Sequence, residues 1–216
     1  MGIWIWNMKS NKLDKSDIES EIKFLISSDK ASRIREDILN ISKISSKGKF
    51  YEKVTMYDNI SKLMDKEDAR LRIKQVSVEK DRFESKVEFS YKRRIKADGG
   101  IKREEEVETI FETNITSFVK IINKMGYYPI TSYERYRETY LIRDIKITLD
   151  QFPFGYILEI EGEENKIKET CDLLGLDTKK SYPSSCDDVY VDLCKKKNLK
   201  PKDHILFDDS EMPKIN

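Results

Sequence analysis

The run from Phe83 to Ala97, the turn Asp98-Gly99-Gly100 and the return from Ile101 to Phe111 constrain this fold most. Successive side chains of a strand point to opposite faces, so strict alternation sorts residues into two sets. One set in the outgoing run is Val87, Phe89, Tyr91 and Ile95. The other is Lys86, Glu88, Ser90, Lys92, Arg94 and Lys96. The return carries Lys102, Glu104, Glu106 and Glu108 on one face. Asp-Gly-Gly between alternating runs predicts a tight antiparallel hairpin.

The same sorting recurs along the chain. Residues 18–26 alternate Ile18, Ile22, Phe24 and Ile26 with Glu19, Glu21 and Lys23. Lys49 to Tyr57 and Leu71 to Val78 read as strands, the second with Arg72 and Lys74 on one face. Strands are also expected over about 133–142, 144–150 and 156–161. Their polar faces carry Tyr133, Arg135 and Arg137; Lys146, Thr148 and Asp150; and Glu159 and Glu161. Helical spacing predicts helices over 30–43 (Ile34, Ile38, Ile41), over 115–125 after the cap Asn114, over 163–174 (Ile167, Cys171, Leu174), and a short one over 187–196. The fold class is therefore α+β: at least seven strands and three helices, suggesting a large curved sheet or a barrel.

Bulk properties narrow the function. The 216 residues carry 41 basic and 40 acidic side chains, so a net charge of +1 calls for no polyanionic partner. Three cysteines, Cys171, Cys186 and Cys194, with no CxxC, argue against a disulfide framework or a thiolate metal site. His204, the sole histidine, excludes a histidine-rich centre. The opening MGIWIWNM is too short for a membrane span and lacks a signal-peptide core, so the expected location is cytoplasmic. That segment reads as an extra edge strand or as disorder, and Trp4 and Trp6 read as packing or edge-anchoring residues rather than ones that stack a base.

Two accounts fit the charged faces. A sheet wet on one side would tolerate them, with cross-strand ion pairs each contributing roughly 0.2–1 kcal/mol. Against this, three strands carry Glu-x-Glu, and like charges so placed cost energy unless a cation joins them. If the helices cover the outside of a closed sheet, the charges line its inside. A tunnel of both signs suits a polyphosphate with a divalent metal: Arg and Lys neutralise phosphate oxygens, and carboxylates hold the metal. No GxxxxGK loop is present to bind phosphate in the usual way.

The motifs, taken in order, resemble the CYTH superfamily, the triphosphate tunnel metalloenzymes, which include class IV adenylate cyclases and thiamine triphosphatases. Glu19-x-Glu21-x-Lys23 is similar to the opening ExExK. Tyr57-Asp58 precedes Leu71-Arg72-Ile73-Lys74; the lysine strand follows at Ser90-Tyr91-Lys92-Arg93-Arg94. Lys102-x-Glu104-x-Glu106-x-Glu108, Arg135-x-Arg137 and Asp150 through Gly155 to Glu159-Ile160-Glu161 complete the pattern. Lys102 departs from it, since arginine is common there. The resemblance covers about residues 18–195. It implies an eight-stranded antiparallel β tunnel with helices packed outside, as a domain over 18–197 between an N-terminal extension, 1–17, and a C-terminal tail, 198–216.

The resemblance also implies site roles. Glu19, Glu21, Glu159 and Glu161 are the expected ligands of Mg²⁺ or Mn²⁺. Lys23, Arg72, Lys74, Lys92, Arg94, Arg135 and Arg137 are the expected phosphate grips. Lys23, Glu106, Glu108 and Asp150 are the expected catalytic group, the two glutamates supporting metal or orienting water and Asp150 holding a basic side chain or helping at a second metal. The implied partner is a small triphosphate or polyphosphate, with no membrane, no extra basic path for a nucleic acid, and a homodimer compatible with cyclase-like relatives. The favoured activity is metal-dependent hydrolysis of a triphosphate: tripolyphosphate, thiamine triphosphate or a nucleoside triphosphate. The alternatives are a class IV adenylate cyclase, forming cyclic AMP and pyrophosphate from ATP, and a non-catalytic polyphosphate-binding module.

Overall fold

A computed structural model of the chain describes residues 18–80, 82–83 and 86–208, with the backbone alone at 97 and 98. The expectations for the N-terminal extension, including Trp4 and Trp6, lie outside the described residues.

Eight strands close into a barrel. They are β1 (Ile18–Ile26), β2 (Ser45–Asn59), β3 (Ala69–Ser77), β4 (Lys86–Asp98), β5 (Ile101–Glu112), β6 (Tyr127–Ile142), β7 (Ile145–Phe152) and β8 (Gly155–Glu161). Neighbours run in the order β2-β3-β4-β5-β1-β8-β7-β6, and β6 pairs back with β2. Every pairing in the ring is antiparallel. The Gly99-Gly100 turn joins β4 to β5, both glycines at positive φ as so tight a turn requires.

Helices cover the outside, where the apolar alternate residues emerge. Helices α1 (Ser28–Leu39) and α4 (Glu164–Leu173) pack Ile34, Ile38, Ile167 and Cys171 against Ile22, Phe24, Ile147, Leu158 and Ile160. Helix α3 (Ile115–Lys124) covers Ile73, Val87 and Phe89 with Phe118, Val119 and Ile122. Side-chain caps start these helices: Ser27 accepts from the Lys30 amide and Asn114 from the Ser117 amide. The four-residue α2 (Leu63–Lys66) follows β2.

Helix α5 (Cys186–Lys196) lies at one end of the barrel, anchored by a reciprocal capping box between Ser185 and Asp188. Its buried residues, among them Val189, Tyr190 and Leu193, pack on Leu25, Val54, Met56, Tyr133, Phe152 and Ile157. Those residues share strand parity with the charged inner positions, so at this end the inner wall is apolar and α5 covers it. A short strand β9 (His204–Ile205) adds parallel to β6, and His204 Nδ1 lies 2.9 Å from Ser132 Oγ.

Several boundaries differ from the sequence reading. The first helix stops at Leu39 rather than 43, and Lys43 turns the chain at positive φ, yet Ile41 still packs on the helix's core. β2 begins at Ser45 because a bulge between Ser46 and Lys49 absorbs Gly48. β6 begins six residues before 133; Pro129 sits at a second irregularity opposite Tyr57, which disguises the strand.

Candidate active site

Register brings the charged faces together. Across β1 and β8, Glu21 faces Glu161 and Lys23 faces Glu159. Across β1 and β5, Glu19 faces Glu104 and Glu21 faces Lys102. β4 sets Lys92 against Glu106, and β7 sets Lys146 against Glu161 and Thr148 against Glu159. One cavity is lined by Glu19, Glu21, Lys23, Arg72, Lys74, Lys92, Glu106, Glu108, Arg135, Arg137, Glu159 and Glu161, together with further charges of both signs. Acidic and basic side chains line it in equal number.

The cations are clamped by the carboxylates. Lys23 Nζ lies 2.9 Å from Glu21 and 3.1 Å from Glu159, with the Ser184 carbonyl at 3.4 Å. Lys102 bridges Glu21 (2.7 Å) and Glu104 (2.9 Å). Arg72 donates to Glu106 at 3.1 Å and to Ser90; Lys92 meets both Glu106 and Glu19, the latter at 3.2 Å. Lys74 holds Glu88 at 2.5 Å. Arg137 donates to both oxygens of Asp150, at 2.7 and 2.6 Å, and to Glu159 at 2.7 Å. Arg135 joins Asp150 to Glu52. Such a wall is costly to desolvate and is weak evidence for stability. A phosphate chain, by contrast, could exchange with these carboxylates for the same donors.

Two expected residues stand apart. Asp150 is fully buried behind the wall, where it orients Arg135 and Arg137 and does not line the cavity. Arg94 sits at the α5 end, 3.3 Å from Asp188 and 3.5 Å from Asp68, in a separate recess. Four contributors escaped the sequence reading. Arg70, 3.1 Å from Glu104, continues the Arg72–Lys74 alternation, but its strand was expected to start at 71. Glu52 belongs to a strand whose alternation was not sorted into faces. Ser185 and Asp187 reach the cavity from α5, and no periodicity signals that.

Electrostatics single out one carboxyl pair. Burial and a hydrogen bond with Glu106 push Glu19 up to about 8, against the pull of Lys92. Burial also opposes ionisation of Glu106, but the Glu19 hydrogen bond, Lys92 and Arg72 hold it down at about 2. The two therefore share a proton although Lys92 reaches both, because burial and mutual repulsion outweigh its pull on Glu19. Glu161 adds to the repulsion on Glu19. Despite burial, Lys23, Lys102 and Lys92 keep Glu21 well below the carboxylate range, and Lys23 and Arg137 do the same for Glu159. The donor chemistry of Glu19, Glu21, Glu159 and Glu161, with Glu106 beside them in the same cavity, fits a hard divalent cation, which takes oxygen ligands. Among the described residues no three His, Cys, Asp or Glu side chains form a ready-made metal cluster, so the fit rests on donor type and mutual repulsion.

The profile of the CYTH domain family matches residues 17–196. No curated protein matches the chain. Solved structures share its fold. An adenylate cyclase candidate from Vibrio parahaemolyticus superposes with a TM-score of 0.64 at 16% identity, over 80% of this chain and 97% of its own. A Hippeastrum protein, an adenylyl cyclase candidate with a dominant triphosphatase activity, gives 0.58 at 15% identity, over 85% and 97%. A chain of the Schizosaccharomyces pombe Mediator head module gives 0.56 at 13% identity, over 73% and 94%. At these identities the likeness is one of fold. Among the described residues no helix is long and apolar enough to cross a membrane.

Proposed function

This chain belongs to the CYTH domain family, and from that premise we propose that it is a divalent-metal-dependent triphosphatase. The observation that carries the reading is the closed barrel whose inner wall presents Lys23, Arg72, Lys74, Lys92, Arg135 and Arg137 to one cavity beside a proton-sharing carboxyl pair. The fold alone would not suffice, since one fold can host unrelated functions. The Hippeastrum protein's dominant triphosphatase activity agrees with the reading.

The wall residues do most of the work. Arg72, Lys74 and Lys92 lie on adjacent strands and grip successive phosphate oxygens, releasing the carboxylates they now hold. Lys23, Arg135 and Arg137 neutralise charge on the phosphoryl group being transferred, where fixed donors count most. Asp150 is a positioning residue: it fixes both guanidinium planes from behind. Glu19, Glu21, Glu159 and Glu161 would hold Mg²⁺ or Mn²⁺, which supplies charge neutralisation across the phosphate oxygens. Glu108, raised by burial and by Glu88 and Glu106, accepts a proton from water more readily than an ordinary carboxylate. Glu106 completes the carboxyl set. Water then attacks the terminal phosphorus, its bond to the bridging oxygen breaks, and orthophosphate leaves with the diphosphate remnant.

The test is release of orthophosphate from tripolyphosphate with Mg²⁺, Mn²⁺ or chelator, for the wild type and for Glu19→Ala. Release that needs metal and falls at least tenfold in the variant is expected. Tight binding without release would replace the enzyme with a polyphosphate-binding module.

A further inference from the structure

The acidic wall of the tunnel is flanked by one lysine on each side. Register aligns Lys146 of β7 with Glu161 of β8, Glu161 with Glu21 of β1, and Glu21 with Lys102 of β5. One level of the barrel therefore reads ammonium, carboxylate, carboxylate, ammonium across neighbouring strands. The two lysines are held differently. Lys102 bridges Glu21 at 2.7 Å and Glu104 at 2.9 Å, and its side chain is 4% exposed. Lys146 meets Oε2 of Glu161 at 2.5 Å, and its side chain is 40% exposed. Among the described residues Glu161 is the one carboxylate that Lys146 pairs with, so it is tied at a single point and has room to turn. Lys146 nonetheless lines the same cavity as the phosphate grips, on the strand directly across the ring from β4 and Lys92.

We propose that Lys146 is the exchangeable counter-ion of Glu161 and a further phosphate-binding residue: it neutralises Glu161 in the metal-free protein and turns to the triphosphate when Glu161 takes the divalent cation. The inference rests on the metal-dependent triphosphatase reading and deepens it, adding a residue and an order of events. The groups in place supply the reasons. Glu161 faces Glu21 across β1 and β8. Two carboxylates so placed repel, and a divalent cation relieves that repulsion more fully than an ammonium beside only one of them. A partly exposed ion pair contributes little, so giving it up costs little. The released side chain is a compact charge on a flexible four-carbon stem with three donors. Phosphate oxygens drawn to a metal on Glu161 are the acceptors that then need it, through charge-assisted hydrogen bonds. Lys102 is unsuited to this exchange, because its departure would leave Glu104, 3% exposed, short of a buried partner.

The experiment compares the full-length wild type with Lys146→Met and Lys146→Arg in two binding assays. Titration with Mn²⁺, followed by the electron paramagnetic resonance of the free ion, gives metal affinity in the absence of phosphate. Calorimetry gives affinity for diimidotriphosphate, a tripolyphosphate analogue whose nitrogen bridges resist hydrolysis, with saturating Mg²⁺ and with chelator. In Lys146→Met, loss of the competing ammonium should tighten Mn²⁺ binding by about fivefold, the upper value for a partly exposed pair. The analogue should bind about tenfold more weakly with Mg²⁺, the loss of one charge-assisted hydrogen bond. With chelator it should bind as it does to the wild type, because Lys146 then stays on Glu161. Lys146→Arg keeps the charge and should restore most of both values. Unchanged or weaker Mn²⁺ binding in Lys146→Met overturns the exchange. So does a loss of analogue affinity that is equal with and without Mg²⁺, which is the mark of a general electrostatic contribution. Orthophosphate release from tripolyphosphate is followed in parallel. Its absence from the wild type, with both binding patterns as expected, overturns the triphosphatase reading and leaves the exchange standing.

Discussion

The inner wall of the barrel has two regions built on one strand parity. Toward α5, Leu25, Val54, Met56, Tyr133, Phe152 and Ile157 are apolar and packed under a helix. Farther along the same strands stand Lys23, Arg135, Arg137 and Glu159, clamped into ion pairs. The first region is a hydrophobic core, which stabilises by removing apolar surface from water. The second removes charges from water, and their mutual attraction at best offsets that cost. The contrast teaches that inward position alone does not make a core, and that the charged stretch is kept for something other than stability.

The largest test of this contrast strikes the apolar region. Phe154, fully buried and stacked on Phe152 beneath α5, should cost about 3–5 kcal/mol when replaced by alanine. Urea unfolding would show this, and the folded fraction should keep its activity per molecule. Loss of activity with stability intact would erase the distinction. Arg72→Met should do the opposite. Turnover should fall by about 10²–10³, or roughly 2.7–4 kcal/mol of transition-state stabilisation. Its unfolding midpoint should move far less than that of Phe154→Ala, since Lys92 still neutralises Glu106.

Ligand should sharpen the comparison next. A phosphate ligand with Mg²⁺ at one hundred times its Kd should stabilise the wild type by about 2.7 kcal/mol. Thermal unfolding should show the increment largely lost in Arg72→Met.

The smallest expected effect is one of pH. Glu19 is raised from 4.5 to about 8 in the folded chain, so the folded state holds a proton there that the unfolded state has released. Its contribution to stability is therefore fully present below about pH 4.5 and lost as pH rises toward about 8. Relative to Glu19→Gln, the wild type should lose stability across that window, and unfolding free energies measured at several pH values would show it. Saturating Mg²⁺ should shrink the difference, because a cation replaces the shared proton.

Much of this architecture was legible in the sequence because its charges alternate so regularly. The Asp98-Gly99-Gly100 hairpin, the helix behind Asn114 and the helix with Ile167, Cys171 and Leu174 inward stand where periodicity put them. The charged faces were legible too, and closure of the sheet decided that they point inside. What escaped depends on tertiary structure. Pro129 and Gly48 hide strand ends that bulges accommodate. Arg70 fell one residue outside an expected strand. The cover that α5 gives one end, and the approach of Ser185 and Asp187 to the cavity, depend on where a short helix docks rather than on any local pattern.

The most direct test of the central claim is phosphorus NMR of full-length protein turning over ATP with Mg²⁺. The account predicts metal-dependent growth of orthophosphate and ADP signals, abolished by Arg72→Met. Cyclic AMP with pyrophosphate would contradict it and make the same tunnel a cyclase.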